Sequence, residues 1–166
     1  MLQPLVRRTW APRGQTPVLY AWGRHDRLSV ISAITVSPVR HRLKLYFRTQ
    51  RHNLHTAEVR RFLASIRRRR PRGMIFILDR WGVHRAAARQ HLDRFGKTDR
   101  VEWLPPYAPD LNPVEQVWTN SKCGVLANYA PDNIQVLSGR VRRTLRRTQG
   151  EAELLRAFFA HAGLTL

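Results

Sequence analysis

Met74-Ile75-Phe76-Ile77-Leu78-Asp79 is the stretch on which the fold turns. Five consecutive apolar residues with no polar alternation predict a strand covered on both faces. Pro71-Arg72-Gly73 precedes it and stops a helix whose Val59, Phe62, Leu63 and Ile66 fall at i, i+3, i+4 and i+7. Thr56 can cap that helix, and its other face carries Arg60, Arg61 and the run Arg67 to Arg70, a solvated surface by default. Further upstream, Leu28 to Val36 is rich in β-branched residues and reads as a buried strand. Leu43, Leu45 and Phe47 alternate with Lys44, Tyr46 and Arg48, the pattern of a half-buried antiparallel partner.

Downstream, a helix from His84 to Phe95 ends at Gly96, and a short strand runs from Val101 to Leu104. A proline-rich turn then enters a helix. Another helix begins at Asp132 with Ile134, Leu137, Val141 and Leu145 inward, and a last one packs Leu154, Leu155, Phe158 and Phe159. Antiparallel strands followed by strand–helix alternation predict an α/β domain with a mixed sheet. The 166 residues, 43% of them hydrophobic, contain no repeat or linker, so residues 1–166 read as a single domain.

Thirty Lys plus Arg stand against eleven Asp plus Glu, a formal net charge of +19. Lysine occurs only at Lys44, Lys97 and Lys122, so the excess is arginine. A coding bias can raise the Arg-to-Lys ratio but does not set the sign of the balance. Arginine forks match phosphate oxygens, and a polyanion such as DNA or RNA is the expected partner. Cys123 is the only cysteine, which rules out an internal disulfide and fits a reducing cytoplasm. No apolar stretch approaches the roughly 18 residues of a membrane span, and no leader pattern is present; a cytoplasmic protein without membrane contact is expected. His52 and His55 lack cysteines at ligand spacing and no His-Glu-x-x-His occurs, so zinc is not expected.

Two carboxylates stand out. Asp79 closes a strand, and Glu115 lies in the first turn of the helix that follows Pro105-Pro106-Tyr107-Ala108-Pro109-Asp110-Leu111. Acids in those two places can converge on a pair of divalent cations. Each also has a plain structural role open to it. Asn112-Pro113-Val114-Glu115 is the pattern of a capping box, and an aspartate past a strand can simply turn the chain.

Leu78-Asp79 followed by His84, then Leu104-Pro105-Pro106-Tyr107-Ala108-Pro109-Asp110-Leu111-Asn112-Pro113-Val114-Glu115 and Trp118, resembles the catalytic domain of a DDE transposase. The branch it is most similar to is the mariner-like superfamily of bacterial insertion sequences. The likeness continues through Arg7-Arg8-Thr9-Trp10-Ala11-Pro12-Arg13-Gly14 and Leu28 to Ile34, and so covers most of the chain. The resemblance implies an RNase H-like mixed sheet flanked by helices, with its first strand missing or incomplete. It also implies DNA strand cleavage and strand transfer dependent on Mg²⁺ or Mn²⁺, with transposon ends and target DNA as partners. Asp79 matches the second acid of the family and Glu115 the third, both catalytic and both holding metal. Arg80, His84 and Asn112 fall near that site. In such a site two hard cations about 3.5–4 Å apart clamp the scissile phosphate, and carboxylate oxygens are their preferred ligands.

The chain also departs from the family. The first acid belongs to an Asp-Glu-x-x-Phe-like segment a few residues before the position matching Leu2. The nearest early acid, Asp26, sits in a turn-like stretch that does not match. The residue after the second acid is usually Asn and is Arg80 here, a cation that would favour ionised Asp79 and compete with metal. The helix-turn-helix with which such transposases read terminal repeats is not expected in these 166 residues. A first strand lacking from the sheet would leave an unpaired edge. Little or no strand cleavage is therefore expected of this chain, as of a decayed copy or the downstream half of a split frame. Its partners would then include a second copy or an upstream reading-frame product. Lys122, Arg140 and Arg143 are weak candidates for DNA contact. Two other readings stay open: a non-catalytic DNA-binding remnant acting through charge, and an RNase H-like nuclease acting on RNA or hybrids.

Overall fold

A hairpin opens the architecture. In the computed structural model, which describes residues 5–20, 27–70 and 72–165, β1 (Ser29–Val36) pairs antiparallel with β2 (Leu43–Gln50). The turn between them closes through Ser37 N–H on the Arg42 carbonyl (3.0 Å), with His41 in the left-handed region at φ 47°. Helix α1 (Thr56–Arg67) follows, then β3 (Ile75–Leu78), α2 (Gly82–Phe95) and β4 (Arg100–Trp103). A short 3₁₀ turn, Pro109–Leu111, leads into α3 (Pro113–Asn120), and a π-type turn, Ser121–Val125, leaves it. Helices α4 (Ile134–Gly150) and α5 (Ala152–His161) complete the order.

Both expected kinds of pairing are present, antiparallel in β1–β2 and parallel in β3–β4. Among the described residues no ladder joins the two pairs, which stand as separate two-stranded sheets. Leu5 contributes only a single parallel bridge to Ala127, reinforced by reciprocal bonds between Arg7 and Asn128 (Arg7 N–H to Asn128 Oδ1 2.8 Å, Asn128 Nδ2 to Arg7 O 2.9 Å).

Two cores form. Val59, Phe62, Leu63 and Ile66 of α1 pack with Ile31, Phe76 and Ala87, joining α1 and α2 to one face of each sheet. On the far side of the hairpin, Leu45 and Val117 pack with Val141, Leu145, Leu155 and Phe158 of α4 and α5. Each such side chain contributes about 1.5–3 kcal/mol when fully withdrawn from water.

Strand coverage is the reverse of the sequence expectation. β2 was expected to be half-buried, yet Leu45 and Phe47 enter the second core while Tyr46 packs on the first, beneath the Arg69 guanidinium. β3 was expected to be covered on both faces, yet Ile75 and Ile77 are each 65% exposed. Only the Phe76 and Leu78 face of β3 meets α1 and α2. An apolar run reports what a strand can bury, not whether a second layer reaches it.

Helix starts also shift. His55, not Thr56, is the N-cap of α1, and the Glu58 carboxylate accepts its backbone N–H (3.0 Å). Asn133, not Asp132, caps α4 through Val136 N–H (2.9 Å). At the start of β3, Gly73 has φ +103° and lies so close to the Thr98 carbonyl that an added Cβ would stand 2.2 Å from its oxygen. Beside it, the buried Asp99 carboxylate gathers Arg67 Nε (2.8 Å), His91 Nε2 (2.7 Å) and Met74 N–H (3.1 Å). That cluster ties α1, α2 and the two parallel strands together, with the rings of Phe76 and Phe95 against His91.

Candidate active site

β3 and β4 are paired in parallel with Leu78 opposite Trp103, and Leu104 N–H extends the ladder to the Leu78 carbonyl (2.9 Å). Both strands therefore release the chain at the same end. Asp79 is the first residue past β3, and its side chain is 47% exposed. Its Oδ1 accepts Trp81 N–H (3.0 Å) and meets His84 Nδ1 at 2.6 Å. The aspartate thus does turn the chain, as its plain structural role required, and it does so with one oxygen. His84 belongs to the first turn of α2 and is held edge-on by the Trp81 ring, 5.1 Å away.

Arg80 does not form an ion pair with Asp79 among the described residues. Its Nε donates to the Leu104 carbonyl (3.1 Å), across the end of the strand pair. Leu104 then leads into Pro105-Pro106-Tyr107. Tyr107 occupies the left-handed region at φ 56°, and its ring is fully exposed. A non-glycine residue there costs of order 1–3 kcal/mol, a strain that clusters at functional loops. Nothing in the sequence marks it beyond its place between two proline turns.

The entry to α3 decides what Glu115 can do. Asn112 caps the helix by accepting Val114 N–H on Oδ1 (3.1 Å), with Pro113 at the first helical position. The reciprocal half of a capping box would bring Glu115 back to the Asn112 N–H. That N–H instead donates to the Pro109 carbonyl (2.9 Å) through the 3₁₀ turn. Glu115 occupies the N3 position with a half-buried side chain that takes no hydrogen bond from the described residues. Its helix packs against β1 and α5, and Trp118 leans on the second core.

Hydrogen bonds therefore bring Asp79, Arg80, His84 and Leu104 together, and among the described residues none of these bonds extends to Glu115. Asp26 lies outside the described residues. Among the described residues no group of three or more His, Cys, Asp or Glu side chains could hold a metal ion. The three expected DNA contacts sit elsewhere. Lys122 is exposed on the turn after α3, and Arg143 is exposed on α4. Arg140 is half-buried, its guanidinium over the Tyr129 ring at 5.5 Å. No helix among the described residues is long and apolar enough to cross a membrane.

The family described as DDE superfamily endonuclease matches residues 1–137, a span that includes both acids and the turn between them. This chain belongs to the DDE endonuclease superfamily. Among curated proteins, none matches this DDE endonuclease chain in sequence. Its fold is similar to that of a chain in the crystal structure of the Mos1 strand transfer complex, with a TM-score of 0.58 and 18% identity. The alignment covers 96% of the DDE endonuclease chain and 48% of that one, so the chain spans about half the length of the solved relative. At that identity the likeness speaks for the fold, the α/β, RNase H-like arrangement expected from the sequence.

Proposed function

We propose that this chain carries the metal-dependent strand-cleaving and strand-transferring site of an insertion-sequence transposase, with DNA as substrate and Asp79 and Glu115 as its metal-holding carboxylates. The observation that carries the reading is the release of Glu115 from its own helix cap. A glutamate at N3 ordinarily completes the box, and here the 3₁₀ turn takes the Asn112 N–H and leaves the carboxylate unspent. Asp79 fits the same role, since its backbone and His84 bonds both fall on Oδ1 and leave Oδ2 available. The donors are hard oxygens, suited to Mg²⁺ or Mn²⁺. When bound, such ions activate the attacking water or 3′-hydroxyl and neutralise the leaving oxygen.

The chain's own residues do the rest. His84 and the Trp81 N–H fix the rotamer of Asp79. Arg80, held on the Leu104 carbonyl, offers its remaining donors to phosphate rather than closing on Asp79. Removing one acid from a metal site costs several kcal/mol of transition-state stabilisation, and among the described residues no group of three or more candidate metal ligands is assembled. The 166-residue polypeptide alone is therefore expected to cleave weakly or not at all, with a second copy or an upstream reading-frame product as completing partner.

A supercoiled-plasmid nicking assay in Mg²⁺ or Mn²⁺ tests this. Little nicking is expected. Robust nicking lost in Asp79→Ala would overturn the inactivity while upholding the site; robust nicking indifferent to Asp79→Ala and Glu115→Ala would overturn the site itself.

The net charge of +19 favours one alternative, a non-catalytic basic DNA-binding remnant to which Lys122 and Arg143 contribute. Such a binder loses affinity by about 10³–10⁵ between 50 and 200 mM salt if it makes 6–10 phosphate contacts. It also takes up no Mn²⁺, whereas the metal site should show weak Mn²⁺ uptake that disappears in Asp79→Ala. Calorimetric titration separates the two.

A further inference from the structure

Beside Asp79 the surface opens into a groove of about 380 Å³ between α2 and β4, lined by Arg80, Arg85, Arg89, Leu92, Val101 and Trp103. It continues into a second hollow of about 360 Å³ bordered by Gly82, Arg85, Ala86 and Arg89. We propose that this groove binds a single-stranded segment of DNA, with phosphates on Arg85 and Arg89 and an unpaired base against Trp103.

Charge supports an anionic occupant, because three arginines and, among the described residues, no acidic one line the first hollow. Arg85 and Arg89 stand one turn apart on α2, a like-charge spacing that costs a helix stability. Both are exposed, and among the described residues neither guanidinium has a carboxylate partner. Bound phosphate would relieve that repulsion.

The floor narrows the class of anion. Trp103 is half-buried at the end of β4 and is absent from both hydrophobic cores, so its indole is spent on neither. Among the described residues β4 pairs with β3 alone and forms an edge of its sheet, which leaves the indole approachable along the groove. Cationic grooves with aromatic platforms suit unpaired nucleotides, whose bases stack on the ring whatever their identity. Bases in a duplex are already stacked on one another and cannot reach it.

Arg80 joins the groove to the candidate metal site, since it follows Asp79 in sequence and bonds Leu104 just past Trp103. In its location this proposal rests on the transposase reading, where strand opening beside the cut would supply the single strand. Its test does not.

Affinity is measured by fluorescence anisotropy in EDTA, where no cleavage occurs, with a short labelled oligothymidine and a duplex of equal length. Arg85→Ala/Arg89→Ala should weaken single-strand binding about tenfold and shrink the salt slope by about 1.4, at roughly 0.7 per phosphate. Arg60→Ala/Arg68→Ala, which removes the same charge from α1 and its end, should change it far less. Trp103→Ala should weaken it roughly tenfold, with Trp103→Phe restoring most of the loss. If Trp103→Ala fails to fold, the paired arginine variants still decide. An equal loss in both arginine pairs, an equal loss for duplex, or displacement by polyglutamate as effective as by oligothymidine would overturn the proposal. Loss of single-strand binding in Arg85→Ala/Arg89→Ala, alongside nicking indifferent to Asp79→Ala and Glu115→Ala, would uphold the groove while the metal-site reading failed.

Discussion

Asp79 is restrained by its neighbours before any ligand arrives. His84 Nδ1 and the Trp81 N–H both hold Oδ1, which fixes the direction of the other oxygen. Groups that orient a metal-binding carboxylate are typically worth 10–100-fold in affinity. His84→Ala should therefore weaken Mn²⁺ uptake by about tenfold in calorimetry; unchanged uptake would mean that the histidine merely packs. At the opposite end of β3 the residue that matters is Asp99, which is fully buried and shared by Arg67 and His91. Asp99→Asn should cost about 3–5 kcal/mol in urea unfolding, because it strands a buried cation. A loss below about 1 kcal/mol would reduce the cluster to a surface-like pair. Sequence reading singles out Asp79 and Glu115 as candidates by the motif around them but passes over Asp99. Its partners Arg67 and His91 lie on different helices, and no local pattern announces a contact of that range.

Among the elements, α1 offers a pH handle. Desolvation pushes the Glu58 carboxyl up, but bonds from the His55 N–H and its own N–H, together with Arg61, outweigh it and hold the group below its ordinary value. A depressed carboxylate stabilises the folded helix end above the unfolded pKa and ceases to do so as pH falls through the folded one. Amide exchange at the first turn of α1 should therefore quicken in acid, and Glu58→Gln should abolish that acid step; an identical acid step in the variant would exclude Glu58 as its source. Element identity and order were legible in the chain because periodicity and turn residues are local. Cap positions moved by one residue, to His55 and Asn133, where neighbouring polar side chains compete for the same backbone donors. Coverage was not legible. Tyr46 in β2 and Ile77 in β3 look polar-facing and core-facing from their neighbours, but what lies above each is a matter of how distant helices pack.

At the scale of the molecule, the exposed face of β3 is expected to favour association. Ile75 and Ile77 project into solvent beside a sheet that carries unpaired edges, a combination that invites contact with other chains. Ile75→Lys/Ile77→Lys should shift the sedimentation profile toward monomer while changing stability by less than about 0.5 kcal/mol per site, as for other exposed positions. Unaltered sedimentation would clear that face of any role in association. The close approach of Gly73 to Thr98 has a consequence that reaches the other end of the strand. Side chains alternate along β3, so slippage by a single residue would swing the terminal carboxylate to the wrong side. The glycine and the Met74–Asp99 bond act as a sighting notch: they set where the carboxylate aims, from a place where no chemistry is done.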